Sequence, residues 1–558
     1  MSQTGGDALV QGLVRHGVTD LFMIPGIQLD WAVDALRRRA DAVRLFVPRH
    51  EQATTYMADG YHRASGRAGV AMVVPGPGAL NAGAGLATAY ASNSGVVFIT
   101  GQIHSQGVGR GYGLLHEIKD QTGLVRGLTK WNRFVESAAG IAGAVDEAFA
   151  QVLHGRPRPV GLEIAHDFLS AQVPAAVAAA APGAPAVAVP DAAALQAVAR
   201  LIDGARLPVL YVGGGVIAAE GAEALKALAE HLGAPVVMSD NGRGAIDDRH
   251  PLAMNSLAGR AVFQHADLVV VIGSRFIDAL TPTASWPAGG RTRFVHINVD
   301  PADLGAPRAP EAALVADARL ALEQLLALTR RRVALAEADA LRVKAWAQQQ
   351  IDAVQPQARY VAEMRAALPE DGIFVNELTQ VGYLARVAFP VHAPRSYIGP
   401  GYQGTLGYGF PVALGAAVAA RGRRVLSITG DGGFGWNLQE LATAQRYRLP
   451  VTLVVFNDGH YGNVRAIQKR EFGAEVAVEL ANPDFALLGR AFGVDTVQVE
   501  DPAALGGAIR DSLSAQGPVM IEVKVGVMPS PWHLLRLQPM KGMAGPAAPA
   551  NPLGEVAA

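Results

Sequence analysis

Short runs of consecutive hydrophobic residues recur along most of the chain, and segments with apolar residues at helical spacing lie between them. Such runs are typical of strands in a parallel sheet with both faces covered, because neither face of these strands meets water. Strand-like segments built on such runs, some of them interrupted by Gly or a polar residue, lie at 69–74, 160–164, 208–215, 234–238, 267–273, 294–300, 425–429 and 451–456. Strands that alternate with helices predict an α/β fold built from open parallel sheets.

The length of 558 residues suits three domains of ordinary size, and changes in composition suggest their boundaries. An Ala- and Pro-rich stretch follows the strand at 160–164, and a charged, Ala-rich helical stretch lies further on. The predicted segments are an N-terminal domain at 1–170, a linker at 171–190, a central Rossmann-like domain at 191–329, a helical connector at 330–354, a C-terminal domain at 355–527 and a tail at 528–558. The last dozen residues of the tail are expected to be mobile.

Two polar turns follow two neighbouring predicted strands of the third domain. Residues 430–433 read Gly-Asp-Gly-Gly, and a second turn, Asn-Asp-Gly-His-Tyr at 457–461, places Asp458 27 residues after Asp431. The stretch 438–449 is long enough for one crossover helix, so both turns fall at carboxyl ends of parallel strands. A Gly-Asp-Gly turn alone is usually only a turn, but two carboxylates at one edge suit a hard cation. Glycine amides at a helix start suit an anion, so this edge predicts a metal-bridged diphosphate site.

The two turns resemble the diphosphate-and-magnesium signature of thiamine diphosphate enzymes related to acetolactate synthase, benzoylformate decarboxylase and pyruvate decarboxylase. Those enzymes usually have Asn-Asn where this chain has Asn457-Asp458, which adds one negative charge beside an anionic cofactor. The resemblance implies a Mg²⁺ ion held by the side chains of Asp431 and Asp458 and by the main-chain carbonyl of His460. Three protein oxygens, the diphosphate and water would complete its octahedron.

The N-terminal third resembles the pyrimidine-binding domain of the same family. The resemblance rests on the segment 47–53, which contains Glu51, on the Pro-Gly-Pro-Gly turn at 75–78 and on Asn81. In that family a Glu here hydrogen-bonds the aminopyrimidine ring. A buried Glu can share a proton with a ring nitrogen, so that the opposite amino group becomes an imino base for the thiazolium carbon. Taken alone, Glu51 could equally be a first-turn acid that stabilises a helix dipole.

A third turn, at 404–411, precedes an Ala- and Gly-rich helix predicted over 412–420. In the resembling family this turn presents its backbone to the pyrimidine, and a large apolar side chain, matched here by Leu406, holds the cofactor in a bent shape. The bend brings the imino nitrogen against the reactive carbon, which is catalysis by proximity. Taken alone, the segment would be a glycine-rich helix start packed in the core.

Residues near the reactive carbon distinguish the branches of the family. Benzoylformate decarboxylase types carry two histidines that relay protons, one at the position aligned with Val74 and one near Leu280. Both positions are apolar here, so this proton relay is missing. The paired histidines of pyruvate decarboxylase types are also not evident at 101–106. Gln102 and His116 resemble acetolactate synthases, although Gln is expected in place of His116. His116 is either a proton shuttle or a hydrogen-bonded structural histidine.

The resemblance therefore implies two sets of site residues. The implied catalytic residues are Glu51, Leu406, His116 and Gln102. The implied cofactor-binding residues are Pro25, Gly26, Glu51, Asn81, Gly404, Thr405, Leu406, Gly430, Asp431, Gly432, Gly433, Asp458, His460 and Tyr461. Ile27, which follows Gly26, is expected to narrow or dry the substrate pocket.

The central domain of acetolactate synthases resembles this one and holds a non-redox FAD. The segment 273–280 departs from the Asp-Asp-Arg pattern associated with that site, so FAD is not favoured here. The glycines at 213–215 do not match Gly-x-Gly-x-x-Gly, and a tight strand-to-helix turn explains them. Trp532 in the tail could close over an active site or dock on the surface.

Composition narrows the class of protein further. Half the residues are hydrophobic, 17% are charged and the net charge is −1, which favours neither nucleic acid nor membrane as a partner. The chain has no cysteine, so disulfides, thiolate zinc sites, iron–sulfur ligation and a Cys nucleophile are excluded. Residues 1–7 lack the pattern of a signal peptide, and a cytoplasmic location is expected.

The leading interpretation is a thiamine diphosphate- and Mg²⁺-dependent carbon–carbon lyase or ligase that acts on a small 2-keto acid or aldehyde, in the manner of acetolactate synthase. The first alternative is a nonoxidative 2-keto-acid decarboxylase, or a relative of 2-hydroxyacyl-CoA and oxalyl-CoA lyases. The second is a non-catalytic thiamine diphosphate-binding paralogue, against which the retained Glu51 argues. The resemblance also implies a homodimer or homotetramer with active sites shared between subunits, because Glu51 and Asp431 of one site come from different chains in that family.

Overall fold

The computed structural model describes residues 2–174, 187–277, 292–305, 307–536 and 549–554. Three separate sheets of six parallel strands, each flanked by helices, make up most of the chain. The predicted α/β class with three open parallel sheets is therefore confirmed. Most of the predicted linker, 175–186, and Leu280 lie outside the described residues.

The N-terminal domain contains the first sheet. The strands of this sheet are β2 (Asp20–Met23), β3 (Arg44–Phe46), β4 (Gly69–Val73), β5 (Val96–Gln102), β6 (Trp131–Phe134) and β7 (Val160–Ala165). Two further short strands, β1 (Ser2–Thr4) and β8 (Gln172–Pro174), lie at the ends of the domain. Its helices are α1 (Gly5–Arg15), α2 (Asp30–Arg37), α3 (Glu51–Ser65), α4 (Pro77–Ser92), α5 (Gln121–Leu128), α6 (Ile141–Leu153) and α7 (His166–Ser170). The sheet order is β3-β2-β4-β5-β7-β6, and β1 pairs with β8 in an antiparallel ribbon.

The central domain contains the second sheet. Its strands are β9 (Pro208–Val212), β10 (Val236–Met238), β11 (Ala253–Met254), β12 (Leu268–Ile272), β13 (Arg293–Asn298) and β14 (Ala312–Val315). The sheet order is β11-β10-β9-β12-β13-β14. The helices are α8 (Ala192–Gly204), α9 (Gly214–Ala218), α10 (Ala222–Leu232), α11 (Ser256–His265) and α12 (Ala318–Leu328), and α13 (Glu337–Asp352) forms the connector.

The C-terminal domain contains the third sheet. Its strands are β15 (Ile373–Asn376), β16 (Tyr397–Ile398), β17 (Val425–Gly430), β18 (Val451–Asn457), β19 (Asp495–Val499) and β20 (Val519–Lys524). Its helices are α14 (Gln357–Ala367), α15 (Gln380–Ala388), α16 (Gly409–Ala420), α17 (Asp431–Asn437), α18 (Leu441–Arg446), α19 (Gly462–Phe472), α20 (Phe485–Phe492), α21 (Pro502–Ser512) and α22 (Trp532–Leu535). The sheet order is β16-β15-β17-β18-β20-β19.

The connection between β17 and β18 differs from the single helix expected at 438–449. The chain forms α17 directly after β17, passes through a short 3-10 turn, and then forms α18. The glycines within α17 and the turn after it favour two short helices over one continuous helix. Both strands are nevertheless parallel neighbours, as predicted, with Gly430 paired to Phe456 at their carboxyl ends.

Helices α3 and α16 pack directly against each other and join the N-terminal domain to the C-terminal domain. A Cβ atom on Gly60 would lie 2.0 Å from the Val412 carbonyl oxygen, and one on Gly415 would lie 1.9 Å from the Met57 carbonyl oxygen. The two helices therefore approach closely because each has glycine at the contact. One apolar core runs across this junction, which explains why α16 is apolar on all its faces.

The C-terminal tail crosses the central domain. Leu534 and Leu535 of α22 are buried in the core of that domain. Further along, the Trp346 indole nitrogen donates to the Pro549 carbonyl at 3.0 Å, and the His265 ring nitrogen lies 3.2 Å from the Gly554 carbonyl. The expectation of mobility for the last dozen residues is therefore wrong for 549–554, because these residues dock on α11 and α13. Within the described residues, no helix is both long and apolar enough to cross a membrane.

Candidate active site

The carboxyl ends of β17 and β18 bring the two predicted polar turns together. Asp431 is the first residue of α17, and Asp458 directly follows β18. One carboxylate oxygen of Asp431 accepts a hydrogen bond of 2.9 Å from the Gly459 amide, so the two turns touch. Since the strands are parallel neighbours, this contact follows from the sheet order.

Asp431 is almost completely buried, at 3% exposure. Its Oδ2 atom also accepts a hydrogen bond of 2.6 Å from the Asn482 side-chain amide. The same amide donates to Asn457 Oδ1 at 3.0 Å, so Asn482 bridges the two turns. The carboxylate is therefore held in a fixed orientation by groups from two other segments of the chain.

Asp458 is held from the opposite side of the turn. Its Oδ2 atom accepts a hydrogen bond of 2.7 Å from Gln380 Nε2, and its Oδ1 atom accepts one of 3.1 Å from the His460 amide. Gln380, the first residue of α15, in turn accepts a hydrogen bond of 2.8 Å from the Met528 amide. The second carboxylate is thus linked to the start of the tail.

Burial disfavours charge on both carboxylates, and repulsion from Asp458 disfavours it further on Asp431. Burial raises the pKa of Asp431, and the nearby Asp458 carboxylate raises it further. Burial also raises the pKa of Asp458. A divalent cation between the two groups would remove this repulsion, and oxygen donors of this kind are those that Mg²⁺ prefers. The residues present therefore fit the metal that the resemblance implies.

The predicted metal ligand set contains only two acidic side chains. In the described parts of the chain, no group of three or more His, Asp or Glu side chains is placed to hold a metal. The His460 ring nitrogen lies 2.7 Å from the Asp458 carbonyl, so this side chain faces its own turn. A third protein ligand would accordingly be a main-chain oxygen, as the resemblance implies for His460.

Glycines beside Asp431 keep this turn free of side chains. A Cβ atom on Gly432 would lie 2.8 Å from the Tyr461 ring, and one on Gly433 would lie 2.0 Å from the Glu377 carboxylate. Both positions therefore need glycine for steric reasons. The bare backbone that results is suited to a diphosphate.

Glu51 begins α3, at the edge of the N-terminal sheet. Its Oε2 atom accepts a hydrogen bond of 3.0 Å from Asn81 Nδ2 on α4. The neighbouring Gln52 donates to Asn437 Oδ1 at 3.0 Å, which ties the start of α3 to α17 of the same chain. The structure thus pairs two predicted site residues, Glu51 and Asn81, and fixes the helix that carries Glu51.

The turn at 404–409 lies against both α3 and α4. The Thr405 hydroxyl is 3.1 Å from the Tyr56 hydroxyl and 3.4 Å from the Thr88 hydroxyl. Gly404 and Gly407 have φ of +57° and +77°, a left-handed conformation that favours glycine. Leu406 between them is 42% exposed, so its side chain is free to contact another molecule.

Two predicted residues of the N-terminal domain lie in the turn after β2. Gly26 packs against Val74, since a Cβ atom on Gly26 would lie 2.4 Å from the Val74 side chain. Pro25 precedes Gly26, and Ile27 after it is 67% exposed. The structure therefore places an apolar side chain at the rim of this turn, where the sequence predicts a narrowed pocket.

Gln102 and His116 differ in how the fold holds them. The Gln102 side chain is buried and accepts a hydrogen bond of 2.8 Å from the Ile103 amide. His116 has φ of +70°, and its carbonyl oxygen lies 2.2 Å from where a Cβ atom on Gly76 would be. His116 Nδ1 is buried and has no hydrogen-bond partner among the described residues. Because buried polar atoms usually have a hydrogen-bond partner, this nitrogen is available to a substrate group or a water molecule.

A cavity of about 830 Å³ lies where the three domains meet. The glycines at 213–215 line it, and a Cβ atom on Gly213 would lie 2.4 Å from the Gly273 carbonyl oxygen. The close approach of the two turns explains these glycines without a ligand. Arg275, from the segment compared with the FAD site, donates to the Ala91 carbonyl at 3.1 Å, and residues 278–280 lie outside the described chain.

Trp532 docks beside the second polar turn. Its indole nitrogen donates to Asn463 Oδ1 at 3.0 Å, and Asn463 also donates to the Tyr383 hydroxyl at 3.2 Å. The Trp532 and Tyr383 rings pack with their centroids 4.8 Å apart. Asn463 lies in the first turn of α19, which follows Tyr461. The tail therefore contacts the helix that leaves the predicted site.

Three polar side chains of this region were missed in the sequence. Glu377 directly follows β15, so the strand-end reasoning used for Asp431 and Asp458 could have found it. Gln380 and Asn482 come from a helix start and from a loop between helices, and neither carries a recognisable spacing. Only the tertiary packing brings these two side chains to the turns.

Comparison with known families agrees with this geometry. Three family models match the chain: the thiamine pyrophosphate enzyme N-terminal TPP binding domain over residues 3–124, the central domain over 195–325 and the C-terminal TPP binding domain over 379–523. A chain of three covered parallel sheets with this edge site is a cofactor-dependent enzyme of the thiamine pyrophosphate (thiamine diphosphate) class. The chain belongs to the thiamine pyrophosphate enzyme family.

Individual relatives align over nearly the whole chain. A probable 2-ketoarginine decarboxylase, AruI, from Pseudomonas aeruginosa is 35% identical over 530 residues, which cover 93% of this chain and 94% of the relative. The acetolactate synthase large subunit of Parasynechococcus marenigrum is 34% identical over 544 residues, covering 94% and 87%. The acetolactate synthase isozyme 3 large subunit of Escherichia coli is 31% identical over 536 residues, covering 91% and 92%. The predicted family is therefore confirmed.

Proposed function

We propose that the protein is a thiamine diphosphate- and Mg²⁺-dependent lyase or ligase that decarboxylates a small 2-keto acid and joins the product to a second carbonyl compound. The observation that carries this proposal is the pair of carboxylates at adjoining strand ends, the buried Asp431 and the half-buried Asp458. The glycine turn at 430–433 next to them suits the diphosphate. Bound thiamine diphosphate would supply an electron sink for the loss of carbon dioxide.

The residues of the chain would divide the work as follows. Asp431 and Asp458 would hold the cation that neutralises the diphosphate. Glu51 would share a proton with a pyrimidine nitrogen, and the hydrogen bond from Asn81 would keep its carboxylate oriented. The exposed Leu406 side chain would hold the cofactor bent. Retention of all these groups argues against a non-catalytic paralogue.

We infer that the active unit is a homodimer, with a homotetramer as a further assembly, and that each site is shared between subunits. Large apolar side chains are exposed at the turns of both domains that carry predicted site residues. They include Ile27 at 67%, Leu115 at 65%, Leu406 at 42% and Trp436 at 55% exposure. In a symmetric dimer, each copy of the chain would cover this apolar surface of the other copy.

Mixing two inactive variants tests the shared site. Glu51→Gln and Asp431→Ala each remove one half of a site, so each homodimer should be inactive. After subunit exchange, a heterodimer would contain one intact site, and statistical mixing should restore up to about a quarter of the wild-type activity for a C2 dimer. Mass spectrometry of the intact dimers verifies the exchange. No recovery in a verified heterodimer, or a fully active monomer by light scattering, would contradict the shared site.

A second candidate function is nonoxidative decarboxylation, in which a 2-keto acid loses carbon dioxide, takes up a proton and leaves as an aldehyde. It is favoured by the 35% identity to a probable 2-ketoarginine decarboxylase over 93% of this chain. His116 would be the proton source, because its Nδ1 atom is buried without a partner among the described residues. The relatives of 2-hydroxyacyl-CoA and oxalyl-CoA lyases remain part of this alternative.

Product analysis separates the two functions. The purified protein would be incubated with thiamine diphosphate and Mg²⁺, with and without FAD, and given pyruvate, longer and aromatic 2-keto acids, 2-ketoarginine and acyl-CoA thioesters. Carbon dioxide with an acyloin-type product supports the leading proposal, and carbon dioxide with an aldehyde alone supports the second. Chelation of Mg²⁺ should abolish either reaction. Failure to release carbon dioxide from any 2-keto acid would count against both.

Two substitutions of Asp458 test whether the metal site needs its negative charge or only an oxygen ligand. Asp458→Ala should weaken binding of Mg²⁺ and thiamine diphosphate together, by at least about tenfold, because changes even outside the ligand set have that effect. Asp458→Asn should retain binding, since it keeps an oxygen ligand and matches the Asn usual in this family. Calorimetric titration of the cofactor at fixed Mg²⁺ compares the two variants. If Asn is as damaging as Ala, the negative charge of Asp458 is required.

A further inference from the structure

Glu377 carries a carboxylate into the interior between two predicted cofactor-binding turns. It directly follows β15, and its amide donates to the Ile428 carbonyl of β17 at 3.2 Å. Its side chain is only 2% exposed. A carboxylate at such a position needs strong hydrogen-bond partners, because burying a charged group without them is costly.

Those partners belong to the turn at 404–409. Glu377 Oε1 accepts a hydrogen bond of 3.0 Å from the Gly407 amide, and Oε2 accepts one of 2.7 Å from the Gly409 amide. Gly409 is the first residue of α16, so its amide belongs to the free amides at the helix start. Hydrogen bonds from amides to a carboxylate are among the stronger ones in proteins. The carboxylate therefore fixes both ends of the turn that presents Leu406.

The second turn, at 430–433, touches the same carboxylate from the other side. A Cβ atom on Gly433 would lie 2.0 Å from Glu377 Oε1, and one on Gly409 would lie 2.9 Å from Oε2. The Thr429 hydroxyl, next to this turn, also favours the ionised form of the carboxylate and so lowers its pKa. Glycines on both turns thus leave the space that the Glu377 side chain fills.

Neither an apolar nor a neutral polar side chain could replace these contacts. An apolar side chain of equal size would leave the amides of Gly407 and Gly409 buried without acceptors. Glutamine offers one acceptor oxygen and turns an N–H group towards the other amide. Burial raises the pKa of Glu377 to about 7, while the amides of Gly409 and Gly407 favour its ionised form.

We propose that Glu377 is a positioning residue that sets the distance between the turn at 404–409 and the turn at 430–433. The first turn would meet the pyrimidine, and the second would meet the diphosphate. Their spacing would therefore set how the two ends of a bound cofactor are held relative to each other, and orientation of this kind contributes strongly to rate. The inference rests on the proposed function and adds to it a residue that touches neither substrate nor metal.

The first measurement needs no cofactor. Glu377→Gln should loosen the turn, so that amides in the peptide 404–411 exchange with deuterium faster than in the wild-type chain, measured by mass spectrometry on the cofactor-free protein. The control is Thr452→Val, which removes buried hydrogen bonds to Arg424 and Ser512 near the opposite end of β18. The control should leave exchange in 404–411 unchanged.

The second measurement uses the protein loaded with thiamine diphosphate and Mg²⁺. Glu377→Gln should slow proton exchange at the thiazolium carbon by about 10- to 100-fold at saturating cofactor, because a misplacement of about 1 Å costs that much. The dissociation constant of the cofactor should change less than this rate. Thr452→Val should lower thermal stability and leave the exchange rate unchanged.

If Glu377→Gln fails to fold, Gly409→Ala is a second variant that disturbs the contact between Glu377 and the turn at 404–409. Its new methyl group would press on Glu377 Oε2 without removing the carboxylate. It should show the same two effects in the same direction. Wild-type exchange in the turn and at the thiazolium carbon, in either folded variant, would overturn the role of Glu377 and leave the proposed function intact. A wild-type chain that binds no thiamine diphosphate would overturn both.

Discussion

Replacing Glu51 by glutamine should give a folded chain that still binds thiamine diphosphate but has lost most of its turnover. Glutamine keeps the size of the side chain and can still accept the hydrogen bond from Asn81, which is 3.0 Å long in the wild-type chain. It cannot share a proton with a pyrimidine nitrogen. General acid–base groups contribute roughly 10²- to 10⁴-fold to rates, so a loss in that range is expected.

Hydrogen–deuterium exchange at the thiazolium carbon, followed by NMR after rapid acid quench, measures the missing step directly. Cofactor affinity, measured in parallel, should change little. The matched control is Glu147→Gln on α6, which only removes an exposed ion pair with Arg133. Control and wild-type chains should exchange at the same rate. An equally fast exchange in Glu51→Gln would remove Glu51 from the mechanism.

The sequence alone predicts that Asp431 and Asp458 lie at one sheet edge, because this placement follows from the topology of parallel strands. Consecutive buried strands joined by a helical crossover are parallel, so their carboxyl ends share one edge. Asp431 and Asp458 follow two such strands, and the structure indeed connects their turns through the Gly459 amide. The contact between Glu51 and Asn81 also lies within one domain, where the resemblance to a known family is informative.

Contacts between segments that are far apart in the sequence could not be predicted from strand order or from local motifs. Asn482 and Gln380 hold the two carboxylates, yet each comes from a segment whose path depends on the packing of whole helices. The close approach of α3 to α16 depends on Gly60 and Gly415, which alone look like poor helix formers. The docked tail was missed for a similar reason, because a Pro- and Ala-rich composition does not show that Pro549 meets Trp346.

Replacing Asp431 by alanine should abolish binding of Mg²⁺ and thiamine diphosphate while leaving the fold intact. The variant loses a buried carboxylate that accepts hydrogen bonds from Gly459 and Asn482, and Asn457 Oδ1 remains as a single acceptor for both donors. A cost of about 1–3 kcal/mol is expected for each buried donor left unsatisfied. Part of this cost is offset, because the repulsion between Asp431 and Asp458 disappears.

Thermal unfolding with and without cofactor separates these effects. In the wild-type chain, cofactor at 100 times its dissociation constant should stabilise the protein by about 2.7 kcal/mol through mass action. In Asp431→Ala this stabilisation should be absent at the same concentrations. The control is Asp501→Ala, which removes the acceptor at the start of α21 and should lower stability by about 1 kcal/mol. Its cofactor-induced stabilisation should equal that of the wild-type chain. An Asp431→Ala variant stabilised by the cofactor as strongly as the wild type would show that the metal lies elsewhere, because a diphosphate held at this edge requires a cation beside it.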